Sequence, residues 1–218
     1  MSVATQLINL SAALLLLVSF AMLSQRRVRA LIDLFAVQGA LLAVATLLAA
    51  WSTGQPHLYA SAALTIVLKV IVLPLILLRL IRRLDLAADV EMLINTPTTM
   101  LVGIVLVVVA FNLALPIAQL AGTITRGTLG IAMASVLLSF LMMITRRMAV
   151  AQVIGFLAME NGLFFAATSV TYGMPMVVEL GIALDVLVGT FVFGVFFFRI
   201  RETFDSLDTQ HLERLKDR

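Results

Sequence analysis

Long apolar runs separated by short polar breaks dominate the pattern of this chain. A transmembrane helix needs about 20 consecutive apolar residues, and seven runs reach that length. The breaks between them carry turn sequences such as QPH and YGMP. The pattern therefore predicts an all-α, polytopic membrane protein with seven transmembrane helices. They lie at about 3–23, 29–50, 58–81, 98–120, 127–145, 148–170 and 175–199.

Two segments fall outside these runs. The stretch RRLDLAADVEMLIN, residues 82–95, mixes polar and apolar positions. It predicts a short amphipathic helix on the membrane surface. The stretch RETFDSLDTQHLERLKDR, residues 201–218, predicts a polar tail.

Basic residues lie almost entirely on one side of the predicted membrane. Of the 15 Lys and Arg residues, only Arg126 falls outside when the N-terminus is placed outside, and Lys69 lies within a span. Cytoplasmic loops carry an excess of Lys and Arg. The distribution predicts an N-out, C-in orientation and an odd number of spans. The residues predicted to lie inside are Arg26, Arg27, Arg29, Arg79, Arg82, Arg83, Arg146, Arg147, Arg199, Arg201, Arg214, Lys216 and Arg218.

Three pairs of matching segments indicate an internal repeat. SFAMLSQRR matches SFLMMITRR, AVQGALLAVAT matches AMENGLFFAAT, and LTIVLKV matches LGIALDV, in the same order along the chain. One intervening span gives both copies the same orientation. The prediction is two parallel three-helix repeats joined by one linker helix, a 3+1+3 plan. Its parts are a first repeat (1–84), a surface helix with the linker span (85–122), a second repeat (123–200) and a cytoplasmic tail (201–218).

The composition excludes several classes of protein and site. The chain is 62% hydrophobic and 12% charged, whereas soluble domains are about a quarter charged. It has no cysteine and two histidines, so disulfides and thiolate metal sites are excluded. No catalytic set or phosphate loop can be assembled, and no basic stripe interleaved with aromatics predicts nucleic-acid binding. We expect a chain that is not itself catalytic and holds no cofactor.

Four ionisable side chains lie well inside the predicted spans. Lys69, Glu160 and Asp185 are near mid-span, and Glu179 is close to the outer end of the seventh span. A charge at the bilayer centre costs about 2.5–3.5 kcal/mol on an insertion scale. These residues are therefore the candidates for a proton or ion relay. The bland alternative is a buried ion pair that only fixes helix register.

The repeat predicts which of these groups share a level. Lys69 aligns with Asp185, and Gln38 aligns with Glu160. We expect Lys69 and Asp185 to pair if the two copies face each other. Pro74 removes a helical hydrogen bond near Lys69 and predicts a kink there. Thr65, Asn161 and Gln152 are further polar candidates, the last two as partners for Glu160 or for a neighbouring span.

Several of these segments resemble a known family. RRMAVAQVIGFLAMENGLFFAAT, the following VVELGIALDVLVGTFVFGVF and the overall length resemble component E of hydrogenase-4-type complexes. Each three-helix copy is also similar to the K-type subunit of respiratory complex I and the C-type subunit of Mrp antiporters. Those subunits carry buried glutamates on their second and third helices. By position Glu160 matches the first of these acids, and Glu179 or Asp185 the second.

The resemblance implies a non-catalytic membrane subunit of a complex I-like, proton- or ion-translocating complex. Its implied partners are antiporter-like membrane subunits and peripheral redox subunits, and any nickel–iron or iron–sulfur centres belong to those partners. The implied location is a bacterial or archaeal plasma membrane. Two alternatives stay open: a free-standing 3+1+3 small-solute transporter, and a purely structural membrane scaffold.

Overall fold

The computed structural model describes residues 3–84, 90, 92–120, 126–171, 187 and 194. Within them the chain is helical apart from short connections. The helices are α1 (Val3–Ser24), α2 (Val28–Thr53), α3 (Pro56–Thr65), α4 (Leu73–Leu84), α5 (Thr96–Leu120), α6 (Arg126–Thr145) and α7 (Ala149–Thr171). A π-helical stretch, Ile66–Val72, joins α3 to α4 and is called the π segment below.

Six helical segments of the described part are long and apolar enough to cross a membrane. This confirms six of the predicted spans and makes the chain a multi-pass membrane protein. The seventh predicted span lies outside the described residues apart from Leu187 and Gly194, which are helical. The six are Gln6–Ser24, Val28–Thr53, Pro56–Arg82, Thr96–Pro116, Gly127–Thr145 and Ala149–Thr168.

The ends of the helices follow from local chemistry. Gly54 adopts a left-handed conformation (φ 68°) and its N–H donates to Ala50 O, so α2 ends with a glycine cap. Pro56 then starts α3, at the helix position where a missing N–H costs nothing. The whole third span is α3, the π segment and α4 in sequence.

The helices pack as an interleaved bundle. α1 packs against α2 and α6, and α2 packs against α3 and α7. α6 packs against both α5 and α7. Leu31, Ile32 and Phe35 of α2 are fully buried with Leu77 of α4 and Ile154 of α7 in the largest apolar core. α5 lies at the periphery and exposes apolar side chains along much of its length.

The predicted surface helix over residues 82–95 lies in part outside the described residues and stays a prediction. Arg82 to Leu84 continue α4, and the described part of the remainder, Val90 and 92–95, is not helical. Val90 N donates to Arg26 O, and Leu93 N donates to Thr145 O at 2.9 Å. One of these carbonyls lies between α1 and α2, and the other belongs to the last residue of α6. Because the two N–H groups bond these distant carbonyls, they are not available for a local helix.

Candidate functional site

A buried ion pair joins the third span to α7 near the middle of both. Lys69 Nζ lies 3.0 Å from Glu160 Oε1, and the two residues are 5% and 8% exposed. It is the only ion pair between described residues. The Lys69 ammonium also lies 5.5 Å from the centre of the Phe164 ring, within cation–π range. The two most expensive described charges of the apolar interior therefore compensate each other.

The local sequence presents the two side chains on facing surfaces. Ser61, Thr65 and Lys69 follow one another at four-residue spacing and are all buried, so they form one polar stripe on the third span. Thr65 Oγ1 donates to Ser61 O at 2.9 Å, so its hydroxyl is satisfied within its own helix. Lys69 is the residue of this stripe that reaches across to α7.

A second polar chain runs beside the ion pair through three helices. Asn161 Nδ2 of α7 donates to Gln38 Oε1 of α2 at 3.1 Å. Gln38 Nε2 donates to Ser19 Oγ of α1 at 3.1 Å, and Ser19 Oγ donates to Leu15 O. Gln38 and Asn161 are fully buried. Glu160 and Asn161 thus reach two different neighbours, the third span and α2, from adjacent positions of α7.

Three acceptor atoms near this level are buried and make no hydrogen bond within the described part of the chain. They are Glu160 Oε2, Asn161 Oδ1 and Ser135 Oγ. Buried polar groups are normally satisfied by protein or by ordered water. A carboxylate with one oxygen on an ammonium and the other unpaired retains capacity to bind a proton.

The structure brings some of the predicted site residues into contact, and others lie outside the described residues. It brings Lys69 to Glu160 and Gln38 to Asn161. Asp185 and Glu179 lie outside the described residues, so the predicted pairing of Lys69 with Asp185 stays a prediction. The exposed Gln152 is not a partner of Glu160, because its Nε2 donates to Arg146 O at the start of α7.

Sequence reasoning missed a second buried cation, Arg146. It follows α6 and is 1% exposed. Its Nη2 donates to Leu23 O at 2.7 Å and to Met22 O at 3.3 Å, which are carbonyls of the last turn of α1. Burial lowers the pKa of Arg146 to about 10, and the nearby charge of Arg26 adds to the effect. The guanidinium remains charged at neutral pH and anchors α6 to α1.

Among the described residues no group of His, Cys, Asp and Glu has the make-up of a metal site. The arrangement instead defines a class: a helical, multi-pass membrane protein with an acid–base pair buried at mid-span. The pair can hold or exchange a proton between Nζ and Oε1.

Comparison with known proteins identifies relatives across the whole chain. "Uncharacterized protein Rv0085" of Mycobacterium tuberculosis is 35% identical over 213 residues, covering 97% of this chain and 96% of that protein. Hydrogenase-4 component E of Escherichia coli K12 is 25% identical over 214 residues, covering 97% and 98%. The Shigella flexneri component E matches to the same extent. No protein-family model matches the chain, and no solved structure does.

The chain belongs to the family of the mycobacterial protein Rv0085. It is also distantly homologous to hydrogenase-4 component E over nearly its full length.

Proposed function

We propose that this chain is a membrane subunit of a hydrogenase-type, proton- or ion-translocating complex and that its Lys69–Glu160 pair takes part in moving protons. The homology to hydrogenase-4 component E supports the subunit role. The pair itself is the observation that carries the proton role. In this proposal the partners are antiporter-like membrane subunits and peripheral redox subunits, which hold any metal centres.

The pair suits proton transfer for a physical reason. Two charges at mid-span cost several kcal/mol unless they compensate each other. A proton passing from Lys69 Nζ to Glu160 Oε1 over their 3.0 Å contact converts the charged pair into a neutral one. In an apolar interior the neutral pair avoids much of the desolvation penalty. Both protonation states are therefore accessible to the same geometry, as a relay requires.

The two-copy plan is part of the same proposal. α1 packs against α6 and α2 against α7, which are the contacts expected of two copies facing each other. The aligned residues Thr46 and Thr168 each donate their hydroxyl to the carbonyl four residues earlier. We assign the N-out, C-in orientation and a bacterial plasma membrane from the arginine distribution and the bacterial relatives.

Replacement of the carboxylate tests the proton role. Glu160→Gln keeps the shape of the side chain but removes its exchangeable proton. We therefore expect proton movement by the assembled complex in membrane vesicles to fall about 100-fold or more, since one positioned acid or base contributes about 10²–10⁴-fold elsewhere. The amount of co-purified partner proteins should stay unchanged. Asp33→Asn is the matched control, because it also replaces a carboxylate within a span. The Asp33 side chain is exposed and makes no ion pair with a described residue.

The outcomes separate the candidate roles. Normal proton movement in Glu160→Gln with intact assembly would leave only a structural scaffold. A chain that purifies from its native membrane without other membrane or redox subunits would contradict the subunit role and favour a free-standing transporter.

A further inference from the structure

The third span carries an unusual backbone around Lys69. Seven consecutive residues, Ile66–Val72, form a π-helix between two α-helices. π-helical structure is rare, appears mostly as single-turn bulges, and is frequent at functional sites. Lys69 lies at the centre of this segment and is its only buried residue. The other six residues of the segment are partly or fully exposed.

Sequence chemistry sets one boundary of the π segment. Leu73 N–H donates to Leu68 O, which is the last hydrogen bond of the π pattern. The next π bond would need an N–H at Pro74, and so would the α-helical bond to the carbonyl of Val70. Since proline has none, neither pattern is completed at this turn. Proline therefore removes one backbone hydrogen bond from each form, and in the α form its ring also clashes with the carbonyl of Val70.

The neighbouring helix leaves room for the segment to move. Gly39 of α2 faces it, and a Cβ at position 39 would lie 3.4 Å from Lys69 Cβ and 3.5 Å from Val70 Cγ2. These are ordinary contact distances, so the observed arrangement would accept a larger residue at this position. Because Gly39 has no side chain, α2 presents no side chain at this position that would block rotation of the segment.

We propose that the π segment is a gate that makes and breaks the Lys69–Glu160 pair by switching between π-helical and α-helical hydrogen bonding. The inference rests on the proposed function for its purpose, since it assigns how that site is regulated. The π form is the state with the pair closed.

The geometry sets the size of the movement. One residue corresponds to about 100° of rotation in an α-helix. When the π turn changes into an α-helical turn, the position of Lys69 shifts by one residue in the helix. This rotates its side chain by about 100° and moves it away from the face that contacts α7. The bond from Lys69 Nζ to Glu160 Oε1 holds the π form, so removing the carboxylate charge releases the segment. Each cycle then separates the base from the acid.

The absence of cysteine from the chain allows a direct test. Gly39→Cys with Val70→Cys places two sulfurs where the structure brings position 39 to 3.5 Å from Val70 Cγ2. Disulfide geometry tolerates little deviation, so the cross-link reports the π form. Its yield is measured in native membranes after mild oxidation, with Glu160 intact and with Glu160→Gln.

The gate predicts that the yield falls about tenfold in Glu160→Gln, the shift expected when one charge-assisted hydrogen bond leaves a two-state equilibrium. Pro74→Ala should lower the yield with Glu160 intact, because it removes the proline ring that clashes with the Val70 carbonyl in the α form. Gly162→Cys with Val136→Cys is the matched control. It joins α7 to α6, where position 162 meets Val136 Cγ2 at 2.9 Å and no π segment intervenes.

Equal cross-link yields at positions 39 and 70 in all three backgrounds would overturn the gate. Because the yield is read without any transport assay, this failure is distinct from failure of the proposed function. Lost proton movement in Glu160→Gln with an unchanged yield would leave the relay standing and remove only the gate.

Discussion

Two buried cations of this molecule differ in what they face. Lys69 lies at mid-span and meets the carboxylate of Glu160 at 3.0 Å. Arg146 lies after the end of α6 and meets the carbonyls of Met22 and Leu23. Both are at least nineteen-twentieths buried. A carboxylate can accept a proton and a backbone carbonyl cannot, so equal burial has different chemical consequences at the two sites.

The comparison separates chemistry from anchoring. Arg146 gives its charge to the negative end of the α1 dipole, where cations are favoured, and its Nη1 hydrogen-bonds to no described residue. Such a contact fixes two helices but offers no second protonation state near neutral pH. The Lys69–Glu160 pair instead links two spans through an ammonium and a carboxylate. Substitutions should therefore affect stability at both sites and proton movement at only one.

Lys69→Met should have the largest effect on stability. It leaves Glu160 buried without its counterion, and breaking a buried pair costs about 3–5 kcal/mol. The double variant Lys69→Met/Glu160→Gln should recover part of that loss, because neither charge remains. The free energies of unfolding of the purified chain in detergent, compared across both single variants and the double variant, give the coupling energy, expected at about 0.5–3 kcal/mol. Additive losses would show that the pair contributes no net coupling.

Arg146→Gln should be the next largest. It loses the two charge-assisted bonds to α1, worth about 1.5–3 kcal/mol for a bond of this kind, although removal of a buried charge offsets part of the loss. Arg147→Gln is the control, because Arg147 is the adjacent arginine and is exposed; its effect should stay within about 0.5 kcal/mol. Proton movement per assembled complex should be unchanged in both. Equal destabilisation of the two variants would contradict the anchoring role.

The sequence predicts the spans and the expensive charges better than it predicts their partners. Length and hydropathy set the boundaries of the six described spans, and the cost of a mid-membrane charge singled out Lys69 and Glu160. The repeat gave their depth but not the direction in which each side chain points. That direction depends on helix rotation, and the π segment changes the rotation around Lys69 by a backbone feature that Pro74 signals only as a kink.

The arginines show a similar limit. Arg26 and Arg146 occupy matching positions of the repeat, yet Arg26 is exposed and donates to Thr96 Oγ1, while Arg146 is buried against α1. In the sequence, both are the first arginine of an Arg-Arg pair between two predicted spans. The two side chains differ in the partners they reach: Arg146 bonds the carbonyls of Met22 and Leu23 in α1, whereas Arg26 bonds the side chain of Thr96. Contacts between distant parts of the chain decide it.

Gln38→Leu should have the smallest effect on the free energy of unfolding. It also tests most directly whether a buried contact without a second charge state takes part in proton movement. Gln38 aligns with Glu160 in the repeat but holds an amide, which bonds Asn161 and Ser19 and has no second charge state. Interhelical hydrogen bonds in membrane proteins average about 0.6 kcal/mol, so we expect a loss of about 1 kcal/mol for two bonds and about half of that for Ser19→Ala. Proton movement should persist in both variants, because the Lys69–Glu160 pair is untouched. Loss of proton movement in Gln38→Leu with unchanged stability would put the amide chain on the proton route and remove the distinction between titrating and anchoring contacts.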